Sequence, residues 1–139
     1  MSNPLVDLGP QGQSVWYDSI SRSLITSGDL ARLIAEDGVR GMTSNPAIFE
    51  KAISGSDDYN DDLARHAADG LSPLQIYEAI AIEDIQLAAD VPLKVYDRTE
   101  GRDGYVSLEV SPHLAHDTEG TVDEALRLAG EVGRPNVMI

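Results

Sequence analysis

Residues 104–118 read GYVSLEVSPHLAHDT, and the first part of this stretch has a clear strand pattern. From Tyr105 to Val110, Tyr, Ser and Glu alternate with Val, Leu and Val, so that one side is polar and the other is apolar. The alternation predicts a strand with two different faces. Glu109 is expected to point the same way as Tyr105 and Ser107, where a carboxylate must be solvated, paired or functional.

Helix and strand signals alternate on both sides of this strand. Strands are predicted at 14–18, 39–43 and from Asn136 to the end. Helices are predicted at 29–37, from Pro46 to about 54, around 63–68, from the capping box Ser72–Gln75 to about Ala89, and from a second capping box, Thr121–Glu124. Strands separated by helices favour an α/β fold with a parallel sheet.

Length and composition limit the architecture further. The chain has 139 residues, of which 42% are hydrophobic, and this is typical of one domain with a modest packed core. A complete (β/α)₈ barrel typically needs about 250 residues, so it is excluded for this length. No internal repeat or low-complexity linker marks a domain boundary.

The charge balance excludes several classes of partner. Lys and Arg number 10 against 24 Asp and Glu, which gives a formal net charge of -14, so neither nucleic acid nor an anionic membrane is an expected partner. The absence of cysteine excludes disulfides, thiolate metal sites and cysteine nucleophiles. No stretch approaches a membrane span, and the first residues lack the pattern of a secretory signal. A cytoplasmic location is therefore expected.

Polar residues gather at the predicted carboxyl ends of the strands, where parallel α/β folds bind ligands. They are Asp18, Thr43, Ser44, Asn45 and Glu109. Two carboxylates among hydroxyl and amide groups could move protons on an oxygenated substrate. Simpler roles exist for two of them: Asp18 could cap the next turn, and Asn45 could cap the helix that begins at Pro46.

The sequence contains no convincing metal site. His113 and His116 have a spacing that could place two imidazoles on one helical face, but Pro112 favours a loop or a helix start there. The acidic run at 57–62 lacks the glycine and the final glutamate of a calcium loop. Phosphate-loop and nucleophile-elbow motifs are absent as well. A glycosidase carboxylate pair formed by Asp18 and Glu109 is a further alternative.

Three ordered motifs resemble the N-terminal half of transaldolases, from about Gly12 to Ile139. They are WYDSI at 16–20, GMTSNPAIFEKAI at 41–53 and GYVSLEVSPHLAHDT at 104–118. The resemblance implies a class I aldolase type of (β/α)₈ barrel, of which residues 1–139 would form about the first four strands. It also implies transfer of a dihydroxyacetone unit between sugar phosphates in the pentose phosphate pathway, through a lysine Schiff base and without a cofactor or metal.

The same resemblance assigns roles to individual residues. Asp18 is similar to the family's acid/base at the carbon–carbon bond, and Glu109 to the carboxylate that handles imine protons through a water. Thr43, Ser44 and Asn45 match the segment that binds substrate beside the lysine.

One departure from the family concerns the nucleophile. The family's Schiff-base lysine directly follows the segment that here reads Asn136 to Ile139, and neither Lys51 nor Lys94 matches it. The expectation is an N-terminal transaldolase half that is inactive alone, whether a natural truncation, a recombinant fragment or a proteolytic fragment. The alternative is a non-catalytic half-barrel that acts as an oligomerisation or interaction module, since half a barrel leaves open strand edges for self-association.

Overall fold

A computed structural model describes residues 3–139 and contains one parallel sheet of four strands. The strands are β1 (Val15–Asp18), β2 (Val39–Thr43), β3 (Tyr105–Ser107) and β4 (Val137–Met138), in the spatial order β1-β2-β3-β4. All three neighbouring pairs are parallel. The sheet runs in chain order, which is the arrangement expected for consecutive strands of a (β/α)₈ barrel. The predicted α/β fold with a parallel sheet is confirmed.

Seven α-helices connect the strands. They are α1 (Arg22–Thr26), α2 (Asp29–Glu36), α3 (Pro46–Ser54), α4 (Asn60–Ala68), α5 (Pro73–Asp90), α6 (Leu93–Arg98) and α7 (Thr118–Val132). Short 3₁₀ helices occupy Val6–Gln11, Asp57–Tyr59 and Pro112–Leu114. The sequence pattern did not predict α1 or α6, because helices of five and six residues are too short to show a full apolar period.

The hydrophobic core lies between one face of the sheet and the helices that cover it, with residues from α2, α3, α5 and α7. Ala88 and Ala89 are completely buried, and their small side chains allow α5 to approach the sheet closely. The core residues that share this burial are Ile20, Leu30, Met42, Phe49, Ala81, Ile85, Val106, Leu108, Leu128 and Val132. Burial of Val106 and Leu108 next to partly exposed Tyr105 and Ser107 confirms the two-faced strand pattern.

The other face of the sheet carries Trp16, whose indole lies against Gly41 of the neighbouring strand. The two residues are register partners in the β1–β2 pair. A Cβ on Gly41 would overlap the indole ring. Glycine is therefore required here to leave room for the aromatic side chain, although its backbone is ordinary for a strand.

Helix starts follow capping chemistry, with one correction. The Ser72–Gln75 capping box is formed, with the Ser72 hydroxyl accepting the Gln75 N–H and the Gln75 side chain accepting the Ser72 N–H. The predicted second box at Thr121 is wrong, since α7 begins one turn earlier. Asp117 caps it by accepting the Gly120 N–H at 2.9 Å. Carboxylates are stronger caps than threonine, and Thr121 instead donates to the Asp117 carbonyl at 2.7 Å.

The strand predicted over 105–110 is shorter than expected. Regular pairing ends at Ser107, although the Leu108 N–H still donates to the Met138 carbonyl at 2.9 Å. The partner strand β4 has only two residues, so pairing cannot continue to Glu109. β1 and β4 are the outer strands of the sheet, and self-association through their edges remains a prediction.

A buried ionic cluster joins α1, α4 and α5. Asp84 of α5 is fully buried, and it accepts hydrogen bonds from the Arg22 guanidinium and from the Tyr59 hydroxyl, the latter at 2.8 Å. Arg22 also pairs with Asp62 at 3.0 Å and with Glu83 at 3.4 Å. Burial raises the pKa of Asp84, while the Arg22 hydrogen bond opposes the rise. The carboxylate is thus held in the core by two donors.

Removal of this carboxylate should strongly destabilise the fold. In Asp84→Ala, Arg22 loses its buried counter-ion and Tyr59 loses its acceptor, which should lower the free energy of unfolding by about 3–5 kcal/mol. Urea unfolding followed by circular dichroism measures the change. The control is Glu83→Gln, which removes a more exposed partner of the same arginine and should cost less than about 1 kcal/mol. Equal losses in the two variants would contradict this assignment.

Asp62 should contribute to the loss of folding stability at acidic pH. Hydrogen bonds from Arg65 at 2.6 Å and Arg22 at 3.0 Å hold the pKa of Asp62 below its ordinary value of about 3.9, against the effect of burial. This stabilisation is present above the unfolded-state pKa and is lost as pH falls through the lowered folded-state pKa. Urea unfolding between about pH 5 and pH 2.5 should therefore show a shallower decline in Asp62→Asn than in the parent chain. Asp61→Asn, which removes an exposed neighbouring carboxylate, should keep the parent slope.

Candidate active site

Two of the predicted site residues meet at the carboxyl edge of the sheet. Asp18 ends β1 and Thr43 ends β2, and they are register partners in the parallel pair. The Thr43 hydroxyl donates to the Asp18 carboxylate with an oxygen–oxygen distance of 2.5 Å. Asp18 does not cap the next helix, since Ser21 does so by accepting the Leu24 N–H. The carboxylate is exposed and oriented by one hydroxyl group.

Ser44 links the ends of β2 and β3. Its side chain is 2% exposed, and its hydroxyl donates to the Ser107 carbonyl at 2.7 Å. Its own N–H donates to the Ser107 hydroxyl at 3.3 Å. These bonds fix the direction in which Thr43 and Asn45 leave the sheet. The predicted contact of Ser44 with substrate remains a prediction, and in this conformation its hydroxyl is engaged by the protein.

Asn45 follows Thr43 and Ser44 beyond the carboxyl end of β2, and its side chain caps α3. Its Oδ1 accepts the Ile48 N–H at 2.9 Å, and Pro46 occupies the first helical position. The capping prediction is confirmed. Within residues 3–139 the amide nitrogen of Asn45 donates to no other group. This half-buried side chain therefore keeps two N–H donors for an oxygen-bearing ligand.

Glu109 lies two residues beyond the end of β3 and is exposed. In the described part of the chain it forms no hydrogen bond to Asp18, Thr43, Ser44 or Asn45. Its charge acts on Tyr77 of α5, whose pKa is raised first by burial and then by the Glu109 carboxylate. The structure thus joins Asp18 to Thr43 directly and leaves Glu109 as a separate, exposed carboxylate.

Sequence reasoning did not identify Tyr77 or Ser107 as site residues. Tyr77 lies among apolar residues of α5, and its ring packs edge-on against Phe49 with a centroid distance of 6.0 Å. A tyrosine in an apolar stripe is nevertheless a signal, because its hydroxyl needs a polar neighbour. Ser107 could have been identified from the strand pattern, which places it on the same face as Glu109.

The arrangement suits proton transfer by carboxylates. Within the part of the chain that the structure describes, Asp18 with its orienting hydroxyl ends β1, Asn45 with its unengaged amide N–H groups follows β2, and Glu109 follows β3 as a separate carboxylate. Residues 3–139 contain no group of three or more His, Cys, Asp or Glu side chains placed to hold a metal ion. His113 lies in the 3₁₀ turn Pro112–Leu114, as Pro112 suggested. Of the helices described, none is long and apolar enough to span a membrane.

Comparison with known proteins identifies the family. A family model described as transaldolase/fructose-6-phosphate aldolase matches residues 15–139. A transaldolase of Thiobacillus denitrificans is 52% identical over 133 residues, which cover 96% of this chain and 37% of that protein. A transaldolase of Trichodesmium erythraeum is 45% identical over 139 residues, which cover 100% of this chain and 37% of that protein. A transaldolase of Neisseria gonorrhoeae is 49% identical over 135 residues, which cover 97% of this chain and 38% of that protein.

The chain therefore spans a little more than a third of the length of these curated relatives. The family match covers all four strands and every predicted site residue. The resemblance inferred from the three motifs is confirmed, and so is the partial (β/α)₈ architecture of about four strands. The chain belongs to the transaldolase/fructose-6-phosphate aldolase family.

Proposed function

We propose that this chain supplies the acid/base side of a transaldolase active site. The reaction is transfer of a dihydroxyacetone unit between sugar phosphates through a lysine Schiff base. The observation that carries the proposal is the Thr43–Asp18 hydrogen bond of 2.5 Å at the carboxyl edge of the parallel sheet. Ligands of such folds bind at this edge, and the relatives named transaldolase match the whole segment.

Each residue has a role that its position supports. Asp18 exchanges a proton with the substrate hydroxyl at the carbon–carbon bond that is cleaved or formed, and Thr43 orients its carboxylate. Glu109 is exposed, so a water can lie between it and the imine carbon, where it would handle the protons of imine formation. Asn45 offers its free N–H donors to substrate oxygens.

Neither lysine of this chain is placed to form the imine. Lys94 lines a cleft at the amino edge of the sheet, on the side opposite Asp18. Lys51 is exposed in the last turn of α3, more than a helical turn from Asn45. β4 ends at the carboxyl edge beside Ser107, and the motif resemblance implies that the family's lysine directly follows the segment 136–139. We propose that the 139-residue chain forms no Schiff base by itself.

A chimera tests the acid/base roles. Residues 1–139 replace the matching part of the Thiobacillus denitrificans transaldolase, and transfer between fructose 6-phosphate and erythrose 4-phosphate is measured. The chimera should be active. Asp18→Asn and Glu109→Gln should each lower kcat by about 10²–10⁴-fold, the usual contribution of a general acid or base. Glu50→Gln, an exposed carboxylate of α3, is the matched control and should keep the parent rate. Full activity of Asp18→Asn would refute the proposal.

Borohydride trapping tests the lysine assignment. The 139-residue chain is incubated with fructose 6-phosphate and sodium borohydride, and intact mass is measured with the chimera run in parallel. A reduced adduct should form on the chimera and not on the chain alone, because imine formation needs an amine next to the carboxylates. An adduct located by peptide mapping on Lys51 or Lys94 would overturn the assignment.

A further inference from the structure

A second cleft lies at the amino edge of the sheet, opposite the candidate active site. Its volume is about 960 Å³. Residues that immediately precede three strands line it: Ser14 before β1, Gly38 before β2 and Asp103 near the start of β3. It is thus separated from Asp18 and Thr43 by the length of the strands. Its size is at the upper end of the ordinary range for small-molecule sites, about 300–1,000 Å³.

Four of the ten basic residues line this one cleft: Arg40, Lys94, Arg98 and Arg102. No ion pair links any of them to a carboxylate within residues 3–139. All the remaining arginines do form such pairs, namely Arg22, Arg32, Arg65, Arg127 and Arg134. In a chain with 24 acidic residues, these four cations line a cleft to which only one of the described carboxylates, that of Asp103, contributes.

The fold holds these cations together through a tight contact at Gly104. Lys94 and Arg98 are four residues apart in α6 and share one helical face. Gly104 has φ +87°, and a Cβ there would overlap the backbone of Tyr96 and approach that of Pro92. Its N–H donates to the Arg40 carbonyl at 2.7 Å. The glycine therefore brings α6 close to the start of β2, and the side chains of both elements line one space.

Asp103 is the single carboxylate among the residues that line the cleft. It already accepts a hydrogen bond from the Ser14 hydroxyl. Four positive side chains thus face one engaged carboxylate. Like charges held near one another repel, and an anion between them removes that repulsion. Arginine guanidinium groups match the geometry of phosphate oxygens, and three of the four cations are arginines.

We propose that this amino-edge cleft is a binding site for a small phosphorylated molecule that carries at least two negative charges. The ligand is small because the net charge of -14 repels an extended polyanion, whereas a compact anion can enter the local positive field. The site is distinct from the carboxyl edge where the proposed transaldolase reaction takes place. Occupancy of this cleft therefore does not depend on the transaldolase proposal.

Isothermal titration calorimetry with inorganic pyrophosphate tests the site on the 139-residue chain at low ionic strength. One saturable site is expected. Lys94→Gln and Arg98→Gln should each weaken binding roughly tenfold, the loss typical of one hydrogen bond between charged groups. Lys51→Gln removes an exposed basic residue outside the cleft and should leave the affinity unchanged. Arg98→Lys should retain part of the affinity for pyrophosphate, because it keeps the positive charge. Circular dichroism verifies that each variant is folded.

Three results would overturn the proposal. The first is the absence of saturable heat with pyrophosphate. The second is an equal loss in Lys51→Gln, which would mean attraction by overall charge alone. The third is a loss in Asn45→Ala, which would place the anion at the carboxyl edge and so attribute it to the proposed substrate site. Unchanged affinity in Asn45→Ala together with loss in Arg98→Gln supports the amino-edge site.

Discussion

The pairing of β2 with β1 on one side and with β3 on the other is the interaction on which both edges of the molecule depend. Because the strands are parallel, every carboxyl end lies at one edge and every amino end at the other. Asp18 and Thr43 meet as register partners at the first edge. The cationic side chains that surround the start of β2 are collected at the second. A slip of the register would separate the hydroxyl from the carboxylate that it orients.

Short side-chain bonds secure this pairing at both ends of the sheet. Ser44 joins β2 to Ser107 with two hydrogen bonds at the carboxyl edge. At the amino edge, the buried amide nitrogen of Asn136 donates to the carbonyls of Ala89 and Gly104, both at 2.8 Å. The two hydrogen bonds of Asn136 hold the end of α5 and the start of β3 against β4. These bonds satisfy buried donors that would otherwise be unpaired, although the buried Oδ1 of Asn136 accepts no hydrogen bond within residues 3–139.

Charge is distributed unevenly over the two edges. Ion pairs engage five of the eight arginines, and the buried Arg22 joins three helices through its pairs with Asp62 and Asp84. The carboxyl edge keeps two exposed carboxylates, Asp18 and Glu109. The amino edge carries the four cations that line its cleft. A single acidic chain can therefore present surfaces of opposite local charge, which the net charge alone does not reveal.

Much of the fold could be predicted because alternation and capping are local properties. The four strand positions, the starts of α3 and α5 and the ordered motifs depend on residues within about ten positions of one another. Local signals also explain the errors. Thr121 has the spacing of a cap, but Asp117 lies one turn earlier and is the better acceptor. The length of β3 depends on β4, which begins about 30 residues later.

The sequence by itself determined the α/β class, the family and the set of polar residues at the strand ends. The class and the polar residues follow from short-range patterns, and the family follows from the order of the three motifs. Only the tertiary structure decided which of these residues touch. It joined Asp18 to Thr43, buried Ser44 and brought four cations from separate elements to one cleft at the opposite edge. Those contacts link residues far apart in the chain, and their geometry follows from strand register and helix packing, which no local pattern specifies.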